Sequence, residues 1–107
     1  MPVRHVITTL KNGVDPGTYE RWLREYDYRV ARTFPSIISY RTHRIAAPIA
    51  GIEEAGWNYI ERIEVSDVEQ YQRDLASPAG QELIRQLYAH YLERGKNISF
   101  WSEPILD

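Results

Sequence analysis

The sequence predicts an α+β fold, ferredoxin-like β-α-β-β-α-β, with a four-stranded antiparallel sheet. Three observations predict it. Four short runs either alternate polar and apolar residues or are rich in β-branched ones, as strands are. Two longer stretches with apolar residues at helical spacing follow the first and third of these runs. The 107 residues leave room for one core, so a single domain is expected over 1–107.

Val3 to Leu10 forms strand one, and Lys11-Asn12-Gly13 breaks it. Asp15-Pro16 opens a helix, Asp as N-cap and Pro at the first helical position, where its missing N–H would be unpaired anyway. Tyr19, Trp22, Leu23, Tyr26, Val30 and Phe34 give that helix one apolar face, and Phe34-Pro35 ends it. Ser36 to Arg44 reads as strand two, Ile45 to Gly56 as a loop containing Pro48 and Gly51, and Trp57 to Val65 as strand three. Ser66-Asp67-Val68-Glu69 has the pattern of a capping box between Ser66 and Glu69, opening a short helix to Ala76. Ser77-Pro78 restarts a segment with Leu83, Leu87, Tyr88 and Tyr91 on one face, ending near Arg94-Gly95. Ile98 to Trp101 is strand four.

Both helical segments of such a unit pack on one face of the sheet and leave the other bare. Pairing two bare faces buries them, so a homodimer in the form of a dimeric α/β barrel is expected. A chain this short also gains core by pairing. The composition, 43% hydrophobic and 26% charged, is that of an ordinary globular protein. Eight Tyr and three Trp against two Phe suit pockets and interfaces, where an apolar ring with a polar tip is useful.

The net charge of −2 is spread, and stretches such as Glu20-Arg21-Trp22-Leu23-Arg24-Glu25 carry their own counter-charges. No basic stripe emerges, which argues against nucleic acid as a partner. The lack of cysteine excludes disulfides, thiolate metal sites and a cysteine nucleophile. No apolar run approaches the roughly 20 residues of a membrane span, and the first residues lack a signal-peptide pattern, so a cytoplasmic location is expected.

Candidate chemistry starts on strand three, where Trp57, Tyr59, Glu61, Ile63 and Val65 share the apolar, helix-facing side. A carboxylate there either bonds a tyrosine or arginine as a structural group or has its pKa raised by burial, into a range useful for proton transfer. His5 shares a side of strand one with Val3, Ile7 and Thr9, taken here as the helix-facing one; it reads as a base, an acid or a structural imidazole. His43 and His90 are weaker candidates, and no histidine–carboxylate spacing points to a metal. Asp27 lies one turn beyond Leu23 at the edge of the buried stripe, and Asp74 just before the Ser77-Pro78 break; each is a pocket group or a solvated charge. Trp22, Tyr40, Tyr59 and Trp101 form either an aromatic substrate wall or core. Nucleophile elbow, P-loop and dinucleotide fingerprint are all absent, so no cofactor is expected.

Several spaced stretches resemble one family. Tyr19-Glu20-Arg21-Trp22, Asp27-Tyr28 and Phe34-Pro35-Ser36-Ile37 are similar to the first half of the RedY/HapK-like proteins. Tyr59 through Asp67, Asp74, Ser77-Pro78, Gln81 and Ser102-Glu103-Pro104-Ile105 continue the likeness over nearly the whole chain. The resemblance implies the dimeric α/β barrel superfamily and prodiginine-type or related indole and pyrrole natural-product pathways. It also implies a pocket between each sheet and its own helices. Val3-Arg4-His5-Val6-Ile7 is similar to the start of olivetolic acid cyclase, where a strand-one histidine lines that pocket. The later histidine of that cyclase has no equivalent in Ser77-Pro78-Ala79-Gly80, so its aldol mechanism is not implied intact. The Asn/Trp/His set of the heme-degrading branch is not recognisable.

The expectation is therefore a cofactor-independent enzyme of specialised metabolism. It would cyclise, condense or dehydrate an aromatic, indole- or pyrrole-containing carbonyl compound. Glu61 would be the general acid/base, His5 and Asp74 proton-transfer or orienting partners, Asp27 a fourth polar group, and Trp22, Tyr40, Tyr59 and Trp101 the substrate wall. The alternatives are a non-catalytic protein that binds and delivers a reactive intermediate, and a cofactor-free monooxygenase.

Overall fold

A computed structural model describes residues 1–46 and 56–106. Its elements are β1 Val3–Thr8, α1 Pro16–Trp22, a π-helical turn Leu23–Asp27, α2 Tyr28–Ala31, β2 Ile37–Arg44, β3 Tyr59–Val65, α3 Val68–Ala76, α4 Pro78–His90 and β4 Ile98–Ser102. The strands form one antiparallel sheet in the order β2-β3-β1-β4. This is the ferredoxin-like α+β fold. Most of the expected Ile45–Gly56 loop lies outside the described residues. Among the described residues no helix is long and apolar enough to cross a membrane.

Local chemistry sets the helix starts. Asp15 Oδ2 accepts from Thr18 N at 2.9 Å, and Pro16 follows the cap. Ser77 Oγ accepts from Gly80 N at 3.1 Å to start α4. The cap of α3 corrects the Ser66/Glu69 expectation: Asp67 accepts from Gln70 N at 2.9 Å. Only the residue next to the first helical one can reach those N–H groups, and Ser66 is already tied to Ser36 through its backbone. Gly80 lets α4 abut α3, since a Cβ there would lie 2.4 Å from Asp74 O and 2.5 Å from Leu75 O.

The sheet's inner face follows from its register. Residues directly opposite each other share a face. Thr8 pairs with Tyr59, Val6 with Glu61 and Arg4 with Ile63, while Thr42 and Tyr40 of β2 also oppose Glu61 and Ile63. Strand three therefore has the expected parity, with Tyr59, Glu61, Ile63 and Val65 buried. Strand one does not. Arg4, Val6 and Thr8 face the helices; His5 and Ile7 face outward with Phe100 and Ile98 of β4. Apolar residues occupy both sides of this central strand, so alternation alone did not choose between them.

Two apolar clusters fill the layer between sheet and helices. Tyr19, Trp22, Leu23, Tyr59, Leu83 and Leu92 form one; Ile63, Val65 and Tyr71 form the other. Buried polar side chains lie between and beside them: Thr8, Asp27, Ser36, Glu61 and Asp74.

Candidate active site

A cavity of about 130 Å³ lies between the inner face of the sheet and the helices. Apolar side chains such as Val6, Phe34, Ile63, Leu83 and Leu87 make up most of its wall. Its polar groups are few: Arg4, Thr8, Asp27, Tyr40, Glu61, Tyr71 and Tyr88. A cavity of about 150 Å³ holds a benzene molecule, so this one takes a single small ring or a reacting fragment of equal size.

Asp27 enters the cavity because of the π-turn. In a regular helix, residues four apart drift by about 40° around the axis. The wider turn over Leu23–Asp27 counters that drift and keeps Tyr19, Leu23, Asp27 and Ala31 in one buried line. Asp27 is 2% exposed. Glu61 comes from the centre of β3, and Tyr40 beside it on β2 donates its hydroxyl to Glu61 Oε1 at 3.0 Å. The same hydroxyl bears on Asp27, so it stands between the two carboxyls.

Burial pushes the Asp27 carboxyl up to about 7; the Glu61 charge adds to this and the Tyr40 hydroxyl opposes it. Burial raises Glu61 too, against the Tyr40 hydroxyl and the positive charge of Arg4. Tyr40 itself is driven well above its ordinary value by burial and by the charges of Glu61 and Asp27. Two like charges in one apolar pocket disfavour double ionisation, so the pair retains a proton near neutrality. The Arg4 charge opposes the rise at Glu61, which favours Glu61 over Asp27 as the ionised member of the pair.

Arg4 stands at the outer end. It donates through Nη1 to the Tyr71 hydroxyl at 2.7 Å and through Nε to Ser99 Oγ at 2.8 Å. The ion pairs among the described residues are Arg44–Glu20 and Arg85–Glu82, so Arg4 and Glu61 are not closed on each other. Among the described residues no cluster of three or more His, Asp or Glu side chains is placed to hold a metal.

The REDY-like protein HapK family matches residues 2–105. The chain belongs to this family. No curated protein shows a significant match to it. Among solved structures, HapK from Hahella chejuensis superposes with a TM-score of 0.77 at 18% identity, covering 100% of this chain and 96% of that one. A hydroxynitrile lyase from Passiflora edulis gives 0.74 at 12% identity, covering 99% and 97%. A dimeric ferredoxin-like protein of unknown function from Thermobifida fusca gives 0.69 at 10% identity, covering 97% and 92%. At these identities the likeness shows the shared fold.

Of the residues singled out in this HapK-family sequence, Glu61, Asp27 and Tyr40 meet in the cavity and the others do not. His5 lies on the opposite face, its Nδ1 3.2 Å from Ser102 Oγ and its ring stacked on Phe100 at 5.4 Å. Asp74 is buried but engaged elsewhere. Its Oδ2 accepts from Ser36 N at 3.1 Å and Ser36 Oγ at 2.5 Å, and its Oδ1 from Gln70 Nε2 at 2.8 Å. Burial pushes its carboxyl up, yet these bonds outweigh it and the net is below the ordinary value. Trp22 is core, donating Nε1 to Gln86 Oε1 at 2.9 Å. Tyr59 donates to Glu20 Oε2 at 2.7 Å, in a surface cluster with Arg44 that holds Glu20 down to about 2. Trp101 is exposed and meets the cavity only indirectly, edge-on to Tyr71.

The sequence reading missed Arg4, Thr8 and Tyr71. Arg4 and Thr8 follow from strand one's parity, which its sequence does not disclose. Tyr71 had a usable signal: it lies three residues before Asp74 and four before Leu75 on a short amphipathic helix.

Proposed function

We propose that this chain is a cofactor-independent enzyme that moves protons on an aromatic carbonyl compound. Glu61 is the base and Asp27 the acid, with Tyr40 holding the two in register. The reaction belongs to the cyclisation, condensation or dehydration class, and indole- or pyrrole-bearing ketones are the natural candidates. The observation that carries this is a pair of buried carboxyls in one mostly apolar cavity, Glu61 bonded by the Tyr40 hydroxyl and Asp27 near enough to feel it. The cavity admits the reacting end of the substrate, and its aromatic body rests at the partly exposed rim formed by Arg4, Leu75, Ile84 and Tyr88. Two copies pair through the outer sheet face, where Ile98 and Phe100 lie exposed beside His5 and Ile7.

The test is proton exchange at the carbon next to the carbonyl of propiophenone in heavy water, followed by NMR. The wild-type chain is expected to accelerate it at least about 100-fold over buffer. Saturable binding without exchange would leave a carrier instead of an enzyme.

A further inference from the structure

The register on the inner face sets three chemical stations in a row. Arg4, Val6 and Thr8 succeed one another along β1, and Glu61 lies opposite Val6, between the outer two. Successive positions on one face are about 7 Å apart. Arg4 leans along the strand toward the Glu61 row, its Nε bonded to Ser99 Oγ opposite Val6, so the cation, the base and the Thr8 hydroxyl follow one another at closer spacing than their backbone positions. Asp27 lines the same cavity, with its Oδ2 unpaired, as is Thr8 Oγ1. The Tyr19 hydroxyl is unpaired as well and feels the charges of both Glu61 and Asp27. Its ring packs edge-on, 5.0 Å away, against Tyr59, the residue opposite Thr8. Buried polar atoms left unpaired among the described residues are costly unless something polar comes to meet them.

We propose that the cavity takes a β-hydroxy aryl ketone and removes water from it. This rests on the proton-transfer reading above and adds the substrate class. The ketone oxygen lies against Arg4 near the rim, the α-carbon over Glu61, and the β-hydroxyl at the inner end with Thr8 and Asp27. Glu61 takes the α-proton, and the C–H electron pair becomes the new C=C bond. The C–O bond to the β-hydroxyl breaks with its pair on oxygen, and the Asp27 carboxyl supplies the proton that lets it leave as water. Glu61 is then protonated and Asp27 ionised; the Tyr40 hydroxyl between them donates to Asp27 and accepts from Glu61, restoring both. Negative charge that gathers on the ketone oxygen meets the Arg4 guanidinium. A substrate carboxylate would instead add a second negative charge to a cavity that already holds one cation against one anion.

The experiment compares β-hydroxypropiophenone with propiophenone, which lacks the hydroxyl. Phenyl vinyl ketone formation is read by ultraviolet absorbance and α-proton exchange by NMR in heavy water, with the whole chain. Both reactions are expected, elimination at least about 100-fold above buffer. Thr8→Val, of similar shape, is expected to lower the ratio of elimination to exchange about tenfold. Exchange without elimination would overturn the dehydration and leave the proton-transfer reading standing. Absence of both would remove the two together, and a Thr8→Val ratio equal to that of the wild type would overturn the hydroxyl station.

Discussion

Asp27 and Asp74 are both nearly closed to solvent, 2% and 6% exposed, but Asp27 lies much deeper in the protein, and they titrate in opposite directions. Asp74 collects three hydrogen bonds from Ser36 and Gln70, which tie α3 to the turn before β2. Asp27 faces a cavity with one oxygen unpaired and a second carboxyl nearby. Depth in the protein and the number of donors together separate a structural carboxylate from one poised to exchange a proton.

Predictions can break this contrast. The largest effect belongs to Glu61→Gln, which keeps the shape and the Tyr40 contact but removes the base. Exchange at propiophenone is expected to fall at least about 1,000-fold, and a rate within threefold of wild type would dissolve the pair as machinery.

The next effect is on stability against pH. Asp27 has a folded value of about 7, above its ordinary 3.8, so ionising it opposes folding. Its favourable contribution is complete below about 4 and disappears as pH rises through about 7. Asp27→Asn is expected to be more stable than wild type at pH 8 by about 2–4 kcal/mol, an advantage that vanishes toward pH 4 in urea titrations. Asp74 has the reverse sign. Its folded value is lowered, so its contribution is present above the ordinary value and is lost as pH falls below it. Asp74→Ala strands the Ser36 donors in a buried site and is expected to cost about 2–3 kcal/mol at pH 7, with proton exchange by the folded protein intact at low temperature. Equal pH profiles for the two variants would refute the contrast.

A second contrast separates the two faces of the sheet. Phe100→Glu puts a charge on the outer face and is expected to convert the proposed dimer to monomer in light scattering, with a modest loss of exchange. His5→Ala, on that same face, is expected to change exchange by less than about threefold. A large loss there would bring the outer face into the chemistry.

Much of the frame was legible in the sequence. Asp15-Pro16 and Ser77-Pro78 begin helices through contacts two or three residues away, and β3 shows its parity because only one of its sides is apolar. Such signals are local, so they survive without a fold. Tertiary structure alone decided the rest. The parity of β1 depends on register with β3, since apolar residues stand on both of its sides. The inward turn of Asp27 depends on a π-turn that no side-chain pattern announces. The fate of Asp74 depends on Ser36, thirty-eight residues away, and the raised value of Asp27 on Glu61 from another element. Hydrogen-bond donors and opposing charges act through space, and a sequence orders them only along the chain.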